Sequence, residues 1–207
     1  MCHYSLARKL RIWRIIYVVF GLYPVGGALG ALLAGVAWIV EGLLTLVIPE
    51  QGPEAFGSPS FYLSNVVFVF AFIGTLAGLI GLHARQAPSY GRIGRAGLVA
   101  ALVGVALMLV AVVISIVAGR PIGVVEGVFG IAILVTFVGF VLYGAATQQA
   151  RVLPRWSGVA LIIALPVSLA LGEYGGNALF GLMWLALGYV LWSQRGIPAE
   201  QQPSRVR

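Results

Sequence analysis

The sequence predicts an all-α membrane protein, a polytopic bundle of six transmembrane helices with both termini on the cytoplasmic side. Of the 207 residues, 60% are hydrophobic and only 9% are charged, which leaves too little polar surface to cover a water-soluble globule. The apolar runs each continue for about 20 residues and lack the alternating pattern of an outer-membrane barrel. Basic residues collect in alternate connections between the runs, as the positive-inside rule requires of membrane helices.

The first 24 residues are expected to form a separate element, an interfacial helix at residues 5–22. Its basic residues would contact anionic lipid headgroups, and the apolar residues after them would enter the cytoplasmic leaflet; these basic residues are Arg8, Lys9, Arg11 and Arg14. No clear signal-peptide cleavage site follows them. A single helix from residue 15 to residue 48 would be about 51 Å long, more than a membrane accommodates, so we expect a turn at residues 23–27.

The first span is expected at residues 26–48, and Glu41 is its single charge. A carboxylate inside the membrane is costly, so its surroundings decide whether it is tolerated. Steps of three and four residues place it on a stripe of small side chains, formed by Gly30, Ala34, Ala37, Glu41 and Thr45. We therefore expect Glu41 to face other helices and not lipid.

Five further spans are expected to follow, at residues 61–82, 96–118, 122–146, 156–171 and 177–193. The second carries glycines suited to close helix contact, namely Gly74, Gly78 and Gly81. A three-residue turn joins the third span to the fourth, so these two must be antiparallel neighbours. The fifth span is short, and Pro166 is expected to kink it. The bundle domain is placed at residues 25–195, and the polar tail at residues 196–207 is predicted to be disordered.

The net charge of +7 is explained by membrane topology and by contact with anionic lipid, and not by nucleic-acid binding. In this predicted membrane topology, twelve of the thirteen Lys and Arg residues lie on the cytoplasmic side, and Arg120 is the exception. A seventh span formed by the N-terminal apolar stretch would move the basic cluster to the outside. Six spans are therefore predicted.

Polar residues are predicted to collect in the outer half of the bundle, and these are Glu41, Asn65, Arg120, Glu126 and Glu173. Glu126 shares a stripe with Gly123 and Gly130, so it too is expected to face inward. In the functional interpretation, the two intramembrane carboxylates bind a cation or exchange a proton in a pocket that opens outward. In the structural interpretation, Arg120 forms an ion pair with Glu126 or Glu41 and fixes the packing of the bundle.

No metal and no cofactor are predicted. The chain has one cysteine, two histidines and no aspartate, which argues against zinc and di-iron sites, and no histidine is placed within a span to ligate haem. Ser115 and Ser168 have no predicted His or Lys partner that could activate a nucleophile.

Residues 143–166, YGAATQQARVLPRWSGVALIIALP, resemble an inner-loop pattern of uncharacterised small multi-pass bacterial membrane proteins, and residues 120–130, RPIGVVEGVFG, resemble a Glu-Gly-containing span of the same proteins. Those families are known by their architecture and not by an activity. The resemblance implies a six-helix bundle in the bacterial cytoplasmic (inner) membrane and supplies no function.

Three functions are compatible with these features. The sequence favours a non-enzymatic structural or accessory bundle, assembled with copies of itself or with other membrane subunits, because small-residue stripes, interfacial anchors and satisfied charges are all that it needs. The alternative is a small proton- or cation-coupled carrier that uses Glu41 and Glu126. The third is an enzyme acting on lipid, for which an acid or base exists but no nucleophile or metal constellation.

Overall fold

The structure, a computed structural model, describes residues 24–48, 55–87, 89 and 91–193, except for the side chains of Pro24 and Glu173. These residues form six α-helices and no strand, which confirms the all-α class. A short 3₁₀ helix at Gly172–Tyr174 precedes the last of them. The helices are α1 (Pro24–Val47), α2 (Pro59–Gln86), α3 (Arg92–Ala118), α4 (Gly123–Ala150), α5 (Arg155–Leu171) and α6 (Gly176–Ser193).

Five of the six helices are long and apolar enough to cross a membrane, as expected of a multi-pass membrane protein. The remaining helix, α5, is apolar but has only 17 residues. Pro166 lies inside α5, and the helix continues through it. The expected interfacial helix at residues 5–22 and the tail at residues 196–207 lie outside the described residues.

Local sequence explains where two of the helices begin and end. The hydroxyl of Ser58 accepts a hydrogen bond from the backbone N–H of Phe61 at 3.2 Å, and Pro59 occupies the first helical position of α2, so this helix begins with a capping residue followed by proline. At the end of α3, Gly119 adopts a left-handed conformation with φ of 66°, which a residue without a Cβ tolerates best.

The six helices pack as a closed ring. Each helix contacts the next one along the chain, and α6 returns to pack along α1. Short connections join these neighbours, so consecutive helices run antiparallel, and residues 24 and 193 lie at the same end of the ring. The expected antiparallel pairing of the third and fourth spans is confirmed by the extensive contact between α3 and α4.

Glycines let the paired helices approach closely. A Cβ added at Gly74 would overlap the backbone of Ala34 on α1, and one added at Gly139 would overlap the backbone of Ala101 on α3. The predicted contact role of Gly74, Gly78 and Gly81 is confirmed, since all three are buried against α1 or Trp184. Helix packing in membranes depends on such small residues because lipid provides no hydrophobic force to bring helices together.

The two ends of the ring differ in charge. Of the six arginines in the described ranges, five lie at or near the end that holds residues 24, 87–91, 151–154 and 193, which we call the arginine-rich end. Arg120 alone lies at the opposite end, formed by residues 48, 55–58, 119–122 and 172–175, which we call the arginine-poor end. Four helices extend two or more residues further toward the arginine-rich end than expected: α1 starts at Pro24, α2 reaches Gln86, α3 starts at Arg92 and α4 reaches Ala150. The turn expected at residues 23–27 is therefore wrong for residues 24–27, which are helical.

Candidate functional site

Glu41 lies in the arginine-poor half of α1 and points into the ring. Its side chain is only 3% exposed, and the small residues of its stripe, among them Ala34 and Ala37, are buried with it. The opposite face of α1 exposes Leu33, Val36 and other large apolar residues. The expectation that Glu41 faces other helices is therefore confirmed. Small neighbours let α2 and α6 approach α1 closely enough to surround the carboxylate.

The carboxylate of Glu41 accepts hydrogen bonds from three neutral side chains. Ser64 on α2 donates to Oε1 at 2.9 Å, and Asn177 on α6 donates to Oε2 at 2.9 Å. Thr45, one turn further along α1, donates to Oε2 at 3.1 Å. The Asn177 amide oxygen in turn accepts a hydrogen bond from Ser168 of α5 at 3.3 Å. Four helices thus meet in one polar network around a single acid.

No basic residue of the described chain forms an ion pair with Glu41, because its carboxylate partners are all neutral. Arg120 is exposed, and so is Glu126. The expectation that Glu126 faces inward is wrong: a Cβ added at either of its stripe neighbours, Gly123 or Gly130, would meet nothing within 4 Å. The glycine side of this first part of α4 is therefore open, whereas Phe129 contacts Phe72 of α2 with ring centroids 6.5 Å apart. The predicted ion pair of Arg120 with Glu41 or Glu126 is absent from these residues.

A pocket of about 450 Å³ surrounds the Glu41 network at the arginine-poor end, and we call it the Glu41 vestibule. Residues from all three connections at that end line it, including Phe56, Pro121 and Gly172. No lysine, arginine or histidine of the described chain lines it, and eight polar residues do: Glu41, Thr45, Ser60, Ser64, Asn65, Ser115, Ser168 and Asn177. Among the described residues of its wall the one formal charge is that of Glu41, which is negative, so this charge favours cations.

A second cavity of about 200 Å³ lies next to the vestibule, toward the middle of the ring, and all six helices contribute to its wall. We call it the aromatic cavity, because six rings line it: Trp38, Phe68, Phe72, Phe129, Phe140 and Phe180. Trp38 meets the rings of Phe68, Phe72 and Phe180 edge to face, with centroids 5.2 to 5.6 Å apart. Four residues line both spaces, namely Phe68, Ser168, Leu169 and Asn177.

The other predicted site residues are placed as follows. Asn65 lines the vestibule, but its amide donates to the carbonyl of Phe61 in the preceding turn at 2.8 Å and not to Glu41. Glu173 lies in the 3₁₀ helix at the arginine-poor end, and its side chain is outside the described part. Arg8, Lys9, Arg11 and Arg14, the predicted lipid contacts, also lie outside the described residues.

Sequence reasoning placed Thr45 on the face of Glu41 but missed its other partners, Ser64 and Asn177, and the aromatic cavity. Ser64 and Asn177 are polar residues near the ends of apolar helices, where polar residues are expected because a span ends there. The one available signal was Asn177, because a primary amide inside an apolar helix needs a hydrogen-bond partner. The six cavity rings come from four different helices, and no single stretch of sequence shows that they meet.

Comparisons of this chain with protein-family models, with curated proteins and with solved structures found no match. The resemblance of residues 143–166 and 120–130 to small bacterial membrane proteins is therefore not supported by a family match. The site must be interpreted from its own chemistry.

Proposed function

We propose that this chain is a multi-pass membrane protein that binds a proton or another cation at Glu41 and carries it across the membrane. The observation that carries the proposal is a carboxylate that is 97% buried, has only neutral hydrogen-bond partners and lines a vestibule open at the arginine-poor end. An acid inside a membrane protein is costly to keep unless it has a role or a counter-charge. The carrier predicted from the sequence used Glu41 and Glu126, whereas the carrier proposed here uses Glu41 alone.

The energetics favour a cation as the missing partner. Three neutral donors offset part of the cost of removing the carboxylate from water, but they leave a full negative charge with no counter-charge among the described residues that contact it. A bound cation or a proton neutralises that charge directly. The hydroxyl and amide oxygens around Glu41 are the ligands that hard cations prefer, and the vestibule presents several of them beside the acid.

The proposal includes a membrane placement. All six helices cross the membrane, α5 with them, since 17 residues at about 1.5 Å each extend roughly 26 Å, slightly less than a typical hydrocarbon core. The arginine-rich end faces the cytoplasm together with both termini, and residues 5–22 lie on anionic lipid as an interfacial helix. The membrane is the bacterial cytoplasmic one, and the vestibule opens to the outside.

The test is ion flux in liposomes that contain the purified protein. Glu41→Gln removes the charge and keeps the shape, and we expect it to reduce proton or cation flux by roughly tenfold or more, because the bound cation loses its only charged ligand. Glu126→Gln is the matched control: the same chemical change at an exposed position, which should leave flux unchanged. Wild-type liposomes no leakier than empty ones, or full flux in Glu41→Gln, would contradict the proposal.

The second candidate is the structural or accessory bundle that the sequence favoured. It is supported by the exposed face of α4, where Gly123, Gly127 and Gly130 meet no neighbour although glycines of this kind usually mark helix contacts. Purification in a mild detergent tests it. A complex with copies of itself or with other membrane subunits that Gly127→Leu dissociates, together with no flux in the wild type, would favour this function.

A further inference from the structure

The Glu41 vestibule and the aromatic cavity are arranged as two layers, one polar and one aromatic. On α1, Trp38 lies one turn from Glu41; on α6, Phe180 lies one turn from Asn177; on α2, Phe68 lies one turn from Ser64. The helices alternate in direction, and in each of these three pairs the aromatic residue is the one nearer the middle of the ring. A molecule that touches the carboxylate therefore has aromatic side chains directly beneath it.

The aromatic cavity offers little to a polar solute. The Thr136 hydroxyl donates to the carbonyl of Ala132 at 2.8 Å, and the Thr75 hydroxyl accepts the indole N–H of Trp38 at 3.1 Å. Its polar groups are thus largely occupied, and no charged residue lines it. A hydrated inorganic ion bound at Glu41 would leave this space unfilled. Aromatic rings suit an apolar body, and their faces also attract ammonium groups.

We propose that the two spaces together bind an organic ammonium ion, with its ammonium group at Glu41 and its apolar body among the rings of the aromatic cavity. This inference rests on the proposed function and names the class of cation. The volume of the aromatic cavity limits the size of the apolar body of this ion. An apolar cavity of about 150 Å³ accommodates benzene, so a cavity of about 200 Å³ accepts one six-membered ring with a short alkyl link.

Binding of phenethylammonium to the protein in lipid nanodiscs tests the inference, measured by titration calorimetry at neutral pH. This ion carries one ring, a two-carbon link and a primary ammonium group, which is protonated there as lysine is. Its neutral analogue 2-phenylethanol has the same body without the charge. We expect the wild type to bind the ammonium ion and to bind the alcohol at least roughly tenfold more weakly, because the alcohol cannot pair with the Glu41 carboxylate.

Matched variants separate the two layers. Glu41→Gln should weaken phenethylammonium binding by roughly tenfold or more and leave the alcohol unaffected. Phe129→Leu and Phe180→Leu remove a ring and keep apolar bulk, and each should weaken binding by roughly three- to tenfold. Phe70→Leu is the control, since Phe70 is exposed and lines neither space. Thermal unfolding of every variant identifies those that fold as the wild type does.

The outcomes also separate this inference from the proposed function. Binding that depends on both Glu41 and the rings supports the inference. Equal binding of the alcohol, binding unaffected by the two Phe variants, or no binding at all would overturn it. Glu41-dependent proton or sodium flux in a protein that does not bind phenethylammonium would overturn the inference alone, and the proposed function would stand.

Discussion

Two glutamates of this chain have similar sequence surroundings and opposite environments. Glu41 and Glu126 each follow small residues at helical spacing, yet Glu41 is buried at 3% exposure and Glu126 is exposed. The difference lies in the neighbours, because α2 and α6 both contact Glu41, whereas Gly123 and Gly130, which share the stripe of Glu126 on α4, have no neighbour within 4 Å of an added Cβ. A stripe of small residues identifies a face that can receive another helix, and only the packing decides whether one is there.

Trp38 is held in the wall of the aromatic cavity by three rings and one hydrogen bond. Its ring contacts Phe68, Phe72 and Phe180, and its indole N–H donates to Thr75. With the side chain 7% exposed, an indole N–H without an acceptor would be a buried unsatisfied donor. Such a group costs about 1 to 3 kcal/mol in soluble proteins and less on average in membranes.

Removing that acceptor should therefore destabilise the bundle. Thr75→Val keeps the shape and is expected to lower the free energy of unfolding by about 1 kcal/mol, measured by chemical or thermal unfolding in detergent. The control is Thr147→Val, which removes a hydroxyl that donates only to the carbonyl of Tyr143 in its own helix and should cost clearly less. Equal stability of the two variants would mean that the Trp38 hydrogen bond contributes little.

The helix pairs are held by backbone contact at glycine, and this contact differs sharply along α4. Gly139 lies against the backbone of Ala101, and Gly144 lies against the carbonyl of Gly158 on α5. Gly123, Gly127 and Gly130, in the first two turns of the same helix, have open space around them. One helix thus carries both packed and unpacked glycines, so the same substitution can be compared at the two kinds of position.

Alanine substitutions at the two kinds of glycine on α4 should consequently differ in their effect on the free energy of unfolding. Gly139→Ala places a methyl group against backbone, which cannot move aside, and is expected to destabilise the protein by about 1 to 3 kcal/mol. Gly127→Ala meets no neighbour and should be neutral or stabilise it by up to about 1 kcal/mol, since alanine favours the helix. Unfolding midpoints of the two variants check this. Destabilisation by Gly127→Ala would indicate that a partner occupies the exposed face.

Sequence predicted the helices well and the site in part. Length and apolarity determine a span, so the expected cores of all six helices were found, and the errors lie at the ends, where α2 and α4 continue into polar residues. Glu41 was identified because one charge in an apolar run is conspicuous. Its partner Asn177 was not, since the contact joins residues 136 positions apart in the chain, and no local pattern encodes which helices close the ring.

At the scale of the whole molecule, the ring gives the two membrane faces different chemistry. Five of the six arginines in the described ranges lie toward one end, and the vestibule opens at the other. In the orientation proposed above, the arginine-rich end faces the cytoplasm, where anionic lipid and the positive-inside rule favour it. In that orientation, a cation approaching from the outside meets the end at which Arg120 is the one arginine of the described residues.

Cysteine labelling tests this orientation. Cys2 is the only cysteine of the sequence, so a membrane-impermeant maleimide should fail to label the wild type in intact cells and should label it after permeabilisation. Moving the thiol to the other end, with Arg120→Cys in a Cys2→Ala background, should give labelling in intact cells, because Arg120 is exposed at the arginine-poor end. The reverse pattern would place the vestibule on the cytoplasmic side.

Two of the hydrogen-bond partners of the Glu41 carboxylate are hydroxyl groups, which can both donate and accept, whereas an arginine partner could not accept. Ser64 and Thr45 contact the carboxylate through hydroxyl groups, and a hydroxyl that donates can also rotate and accept. If Oε2 of Glu41 gains a proton, the Thr45 hydroxyl can accept it and turn its own hydrogen to the Glu41 carbonyl oxygen, 3.0 Å away. A guanidinium can only donate. A proton carrier at Glu41, as proposed above, needs a partner that can both donate and accept, because its acid must be hydrogen-bonded in both the charged and the neutral form.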